Sequence, residues 1–117
     1  MKLRATHHEK RVRFQVVAPP GAAVYVAGTF NGWNPREFRM NEAPFRLKAN
    51  SEDAIYAGVV TVLPGEYEYK FIVNDQWMAD PGNQERRPDG FGTFNSVLRV
   101  QRPHRTQPPA ATSAATK

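Results

Sequence analysis

The chain reads as an all-β protein, a sandwich of two antiparallel sheets, and three observations predict it. Apolar residues recur at every second position in several short runs, turn-forming residues separate those runs, and no stretch carries a convincing amphipathic helical period. Its 117 residues suffice for one small domain with a genuine core, and not for a catalytic barrel. Cysteine is absent, so apolar packing must hold the fold in place of disulfides or thiolate-bound metal. We expect the sandwich to span residues 11–101, after a flexible basic start at 1–10 and before a disordered tail or linker at 102–117.

The first strand runs from Arg11 to Ala18, where Val12, Phe14, Val16 and Ala18 alternate with Arg11, Arg13, Gln15 and Val17. Pro19-Pro20-Gly21 turns the chain into a second strand, Ala23 to Gly28, with Val24 and Val26 on one face. Thr29 to Pro35 then packs turn formers around two large rings, of which Phe30 is expected to plug the core and Trp33 to stay outside. Residues 36–54 hold scattered apolar members (Phe38, Met40, Phe45, Leu47) without a sustained period, which predicts short strands and loops. Ile55 to Leu63 is rich in β-branched residues, with Tyr56, Val60 and Val62 sharing a parity.

Pro64-Gly65 is a turn signal, and the strand after it is the most strongly patterned in the chain. Tyr67, Tyr69, Phe71 and Val73 face the core, which leaves Glu68, Lys70 and Ile72 on the other side. Asn74-Asp75 tolerates the positive φ of a two-residue hairpin, so a return strand starts at Gln76-Trp77 and stops at Asp80-Pro81. Gly82 to Gly92 reads as a loop, with Pro88-Asp89-Gly90 as turn chemistry, and Phe94 to Val100 closes the sandwich with Leu98 and Val100 on one face.

The formal charge of +5 is concentrated at the ends. Residues 1–13 carry five basic side chains against Glu9, and residues 101–117 carry three and no acid, so the body between them is slightly acidic. Solvated basic ends account for this better than a nucleic-acid surface does. Neither a secretory apolar core nor a membrane span occurs in the sequence, and a cytoplasmic location without membrane contact is expected. His7, His8 and His104 all lie in the terminal segments, which leaves no Ser/His/Asp arrangement inside the domain. Asp75, Asp80 and Asp89 sit at ordinary turn positions and offer too few oxygens for calcium. We therefore expect no enzyme, no metal and no cofactor.

What remains is the set Trp33, Lys70, Trp77, Phe91, Thr93 and Asn95. A sugar presents an apolar C–H face and a rim of hydroxyls, which calls for flat exposed rings beside fixed polar groups, and this set supplies both. Either tryptophan taken alone would more often be core than a ligand platform. Three segments, Val24 to Asn34, Leu63 to Pro81 and Phe91 to Val100, resemble in order the glycogen-binding module of the AMP-activated protein kinase β subunit, within carbohydrate-binding module family 48. The resemblance implies an immunoglobulin-like sandwich of the early-set type that binds α-1,4-linked glucan, as polysaccharide or oligosaccharide, without cleaving it. It matches Trp33 and Trp77 to the sugar-stacking tryptophans, Lys70 and Asn95 to hydroxyl-bonding groups, and Thr93 to a threonine of the wedge loop. Phe91 stands where kinase-type modules carry a leucine that enters the curve of the glucan, and Asn74-Asp75 stands where the family commonly has Asp-Gly. An alternative is a protein-interaction module of the same fold that docks a glucan-active enzyme or a kinase-type complex. A single-strand nucleic-acid binder that stacks bases on the tryptophans is disfavoured by the acidic body.

Overall fold

The computed structural model describes residues 9–44 and 52–102. The expectations for Phe45, Leu47, most of the N-terminal segment 1–10 and all but the first residue of the tail 102–117 lie outside the described residues. Among the described residues there are eight strands: β1 (Lys10–Ala18), β2 (Val24–Gly28), β3 (Phe38–Glu42), β4 (Ala54–Val62), β5 (Gly65–Val73), β6 (Gln76–Met78), β7 (Arg86–Pro88) and β8 (Phe94–Val100). The last but one, β7, lies inside the stretch expected to be loop. Its three exposed residues have no alternation to reveal them, and Pro88 is tolerated because β7, among the described residues, is an edge strand paired with β8 alone.

Every pairing is antiparallel. β1 and β4 pair along their full length, from Lys10 opposite Val62 to Ala18 opposite Ala54. The other sheet runs β2-β5-β8-β7, with β6 returning on β5. β3 joins the two: Phe38, Arg39 and Met40 pair with β2, whereas Asn41 and Glu42 pair with β4. A strand that changes sheets in this way makes the corner through which one hydrogen-bonded ribbon folds into two layers. The result is the all-β, immunoglobulin-like sandwich that the alternation and the resemblance led us to expect.

The core lies where the alternating positions meet. Phe14, Val16, Ala18, Val24, Val26, Met40, Tyr56, Val60, Val62, Tyr69 and Phe71 are all buried in it. The Phe14 ring sits 4.9 Å from Tyr69, 5.8 Å from Phe30 and 6.3 Å from Phe71, centre to centre, in mostly edge-on contacts of the kind aromatic quadrupoles favour. Phe30 does pack on this core as expected, and remains half-buried beside Phe38 and Tyr67. The Tyr56 hydroxyl donates to the Pro19 carbonyl at 2.7 Å and accepts from the Ala22 amide at 3.0 Å, which ties the β1–β2 turn to β4. At Gly28 a Cβ would lie 2.4 Å from the backbone oxygen of Glu68, so only glycine lets β2 run this close to β5.

Candidate functional site

The site lies on the face of the β2-β5-β8 sheet turned away from the core. Along β5 the residues of even number point outward: Lys70 is opposite Ala27, and Ile72 lies between Tyr25 and Trp77. Ala27 and Ile72 are buried although they lie outside the core cluster, so an apolar patch underlies the outer surface here. β8 contributes Asn95 from the same face, opposite Arg87 of β7.

Three loops complete it. In the first, Gly28 to Asn34, the Asn31 side chain accepts from the Gly28 amide at 3.1 Å and donates to the Asn34 carbonyl at 3.1 Å, while the Trp33 amide donates to the Gly28 carbonyl at 2.9 Å. This bonding holds Gly32 at φ 65° and Trp33 at φ 63°. A bulky residue in the left-handed region costs on the order of 1–3 kcal/mol, and such strain gathers where a side chain must be aimed. The second loop is the β5–β6 hairpin, in which Asn74 and Asp75 take φ values of 49° and 68°, both left-handed as the turn signal predicts. It returns the chain so that Trp77 is 47% exposed, with its ring centre 6.4 Å from that of Trp33 and the two planes inclined by 44°. Trp33 is half-buried against this neighbour rather than fully outside as expected.

The third loop runs from Asp89 to Thr93. Its ring, Phe91, is 89% exposed between Gly90 at φ 86° and Gly92 at φ 91°. The Asp89 carboxylate accepts from the Phe91 amide at 2.7 Å, the Thr93 amide at 3.2 Å, the Lys70 ammonium at 2.7 Å and the Thr93 hydroxyl. Lys70 also donates to the Thr93 hydroxyl oxygen at 3.0 Å, which leaves one of its three N–H groups uncommitted. The Lys70 ammonium, followed by the Thr93 hydroxyl and the Phe91 amide, holds the Asp89 carboxyl far below the usual carboxylate range.

Five of the six residues singled out from the sequence, Trp33, Lys70, Trp77, Phe91 and Asn95, line one open groove of about 340 Å³ together with Asp89. Thr93 does not line it but braces Lys70. Asn95, only 9% exposed, donates one of its two amide N–H groups to Glu68 at 2.9 Å, which leaves its second N–H and its carbonyl oxygen outside that bond. That hydrogen bond is the main reason the Glu68 carboxyl sits below its ordinary value, with Arg87 adding to it. Sequence reasoning treated Asp89 as turn chemistry and assigned no part to Glu68. Asp89 does serve the turn, but its ion pair with Lys70 joins residues of two different elements, which no local pattern announces.

The other loop of the hairpin side is fixed by polar contacts. Tyr69 donates to Asp80 at 2.6 Å, Asn83 donates to Tyr69 at 3.1 Å and to the Val97 carbonyl at 2.8 Å, and the Asp80 amide donates to Ser96 at 2.8 Å. Burial, with the hydrogen bond to Asp80 second, pushes the Tyr69 phenol well above its usual range, so it stays a neutral donor. Among the described residues no group of three or more His, Cys, Asp or Glu side chains is placed to hold a metal ion, and no helix is long and apolar enough to cross a membrane.

Residues 11–106 match the family described as the glycogen recognition site of AMP-activated protein kinase. Among curated relatives, 5'-AMP-activated protein kinase subunit beta-1 of Sus scrofa is 28% identical over 82 residues, covering 70% of this chain and 57% of the relative. The beta-1 subunit of Bos taurus is 29% identical and the beta-2 subunit of Mus musculus 27% identical, each over 82 residues that cover 70% of this chain and 26% of the relative. The chain thus spans little more than half of the first relative and about a quarter of the other two.

Proposed function

The chain belongs to the family of the glycogen recognition site of AMP-activated protein kinase, and from that premise we propose that it binds α-1,4-linked glucan at the Trp33–Trp77 groove without cleaving it. The observation that carries this reading is the meeting of two inclined tryptophans, an exposed wedge and oriented polar groups in one open groove. Successive sugars of a curved chain present faces inclined to one another, and rings set 44° apart suit such a chain better than a flat one. In the binding we propose, Trp33 and Trp77 stack on sugar faces and Phe91 packs into the curve. The free N–H of Lys70 donates to a hydroxyl, the Asn95 carbonyl oxygen accepts from another, and Thr93 keeps Lys70 in place.

The groove is open, so each sugar is desolvated on one side only. Burying some 200 Å² of apolar surface at about 25 cal/mol/Å² gives roughly 5 kcal/mol before ordering costs, equivalent to a Kd of about 0.2 mM from apolar contact alone; with the polar contacts added, weak binding in the range of about millimolar to micromolar is expected. We propose no catalytic role for the groove: its acid, Asp89, and the neighbouring Glu68 are both committed to cations or amides. A cytoplasmic location, and association with a kinase-type complex or a glucan-active enzyme, belong to the same proposal, since the named relatives are kinase subunits.

The test is native electrophoresis in gels with and without glycogen, using wild type and a folded Trp33→Ala/Trp77→Ala variant. Retardation of the wild type alone is expected. If the double variant is retarded equally, the groove is not the site; if neither is retarded, docking of a partner protein becomes the leading reading.

A further inference from the structure

Resting on the glucan reading, we propose that Asp89 is a positioning residue that sets both the shape and the charge of the groove. The shape follows from what holds Phe91. Its ring is almost wholly exposed, so packing does not fix it, and the glycines on either side have the greatest backbone freedom of any residue. Apart from the bond from Lys70 to the Thr93 hydroxyl, the hydrogen bonds described within this loop run to Asp89: its carboxylate receives the Phe91 and Thr93 amides, and its own amide donates to the Thr93 carbonyl at 3.0 Å. Without that carboxylate the wedge would have to be ordered by the ligand, at the ligand's expense.

The charge follows from Lys70. Its ammonium stands 2.7 Å from Asp89, and both side chains are nearly enclosed. The pair is neutral as a unit, so the groove offers an oriented donor rather than a bare cation, which suits an uncharged, hydroxyl-rich chain. A lone lysine there would instead attract polyanions.

The test compares wild type, Asp89→Asn, Phe91→Ala and their double variant for maltoheptaose affinity by calorimetry, with Trp77→Ala as the control for the platform. Asp89→Asn is expected to bind about tenfold more weakly, and its loss to overlap that of Phe91→Ala instead of multiplying with it. It is also expected to gain retention on dextran sulfate at low salt, beyond that of Glu37→Gln, which removes the same charge from an exposed position. Asp89→Asn affinity within twofold of wild type, independent losses, or no gain on dextran sulfate would overturn the proposal. Should Asp89→Asn fail to fold, Gly92→Ala strains the same loop at φ 91° with open space around the new methyl. It is expected to weaken maltoheptaose binding without gaining retention on dextran sulfate, and wild-type affinity in it overturns the proposal equally. A wild type that binds no maltoheptaose sinks the glucan reading and this one with it. Intact wild-type binding lost in Trp77→Ala, beside an unaffected Asp89→Asn, sinks only this one.

Discussion

On its inner face β5 presents Tyr69 and Phe71, buried among the rings of the opposite sheet, with Tyr67 at their edge. On its outer face the same strand presents Glu66, Glu68, Lys70 and Ile72. The inner face is held by burial, which is strong and indifferent to exact partners. The outer face is held by specific pairs: Lys70 with Asp89, Glu68 with Asn95 and Arg87, and Glu66 with Arg87 and Arg99. The fold therefore depends on one side of β5 and the proposed binding on the other, and substitutions on the two faces should separate stability from affinity.

The largest effect is expected inside. Phe71 is fully buried, with ring partners in Phe14 and Tyr69, so Phe71→Ala should cost about 3–5 kcal/mol of stability, read by urea unfolding. On the outside, Trp77→Ala should do the reverse. Losing roughly 100 Å² of stacking surface at about 25 cal/mol/Å² corresponds to some 2 kcal/mol of glucan affinity, while the melting temperature stays near that of wild type. A large loss of stability in Trp77→Ala would show that the outer ring supports the fold and would break the division between faces.

Acid sharpens the same comparison. The Asp89 and Glu68 carboxyls both titrate below their ordinary values when folded, because each accepts from charged or amide donors. Depressed carboxyls contribute stability that is fully present above the unfolded value, near pH 4, and is lost only as pH falls through the lower folded values. Glucan affinity measured from pH 7 down to about 4.5 should therefore stay constant. A fall across that window would mean that these carboxylates are not held as the hydrogen bonds require.

Legibility differed between the faces for a physical reason. Parity sends Tyr69 and Phe71 to the core and sets Phe14 and Val16 on one face of β1, because a strand of period two writes its two faces directly into the sequence. Turn chemistry likewise placed the Asn74-Asp75 hairpin, and with it the position of Trp77. For the groove, parity puts only Lys70 outside; the residue chemistry a sugar calls for singles out Trp33, Phe91 and Asn95 beside it, and the family resemblance adds a role for each, but no local pattern shows that they meet. The ties between Lys70 and Asp89, and between Glu68, Asn95 and Arg87, join residues nineteen or more positions apart or on different strands. Such pairs carry no local period, and for the same reason β7, a three-residue edge without alternation, went unread.

The smallest effect tests how strain is distributed between loops. Asp75 and Trp33 share nearly the same left-handed backbone, φ 68° and 63°, yet for different reasons. Asp75 is there because a two-residue hairpin needs the conformation and Asp tolerates it, so Asp75→Gly should relieve strain, partly offset by the greater freedom of the unfolded chain. A net gain of about 0.5 kcal/mol in urea unfolding, with glucan affinity unchanged, is the expected outcome. Trp33→Gly relieves the same strain but removes a stacking ring, so it should gain similarly in stability, less whatever packing against Trp77 contributes, and lose affinity. If both glycine variants lose stability, the left-handed residues are supported by their side-chain contacts more than they are strained, and the cost of aiming Trp33 is smaller than its φ implies.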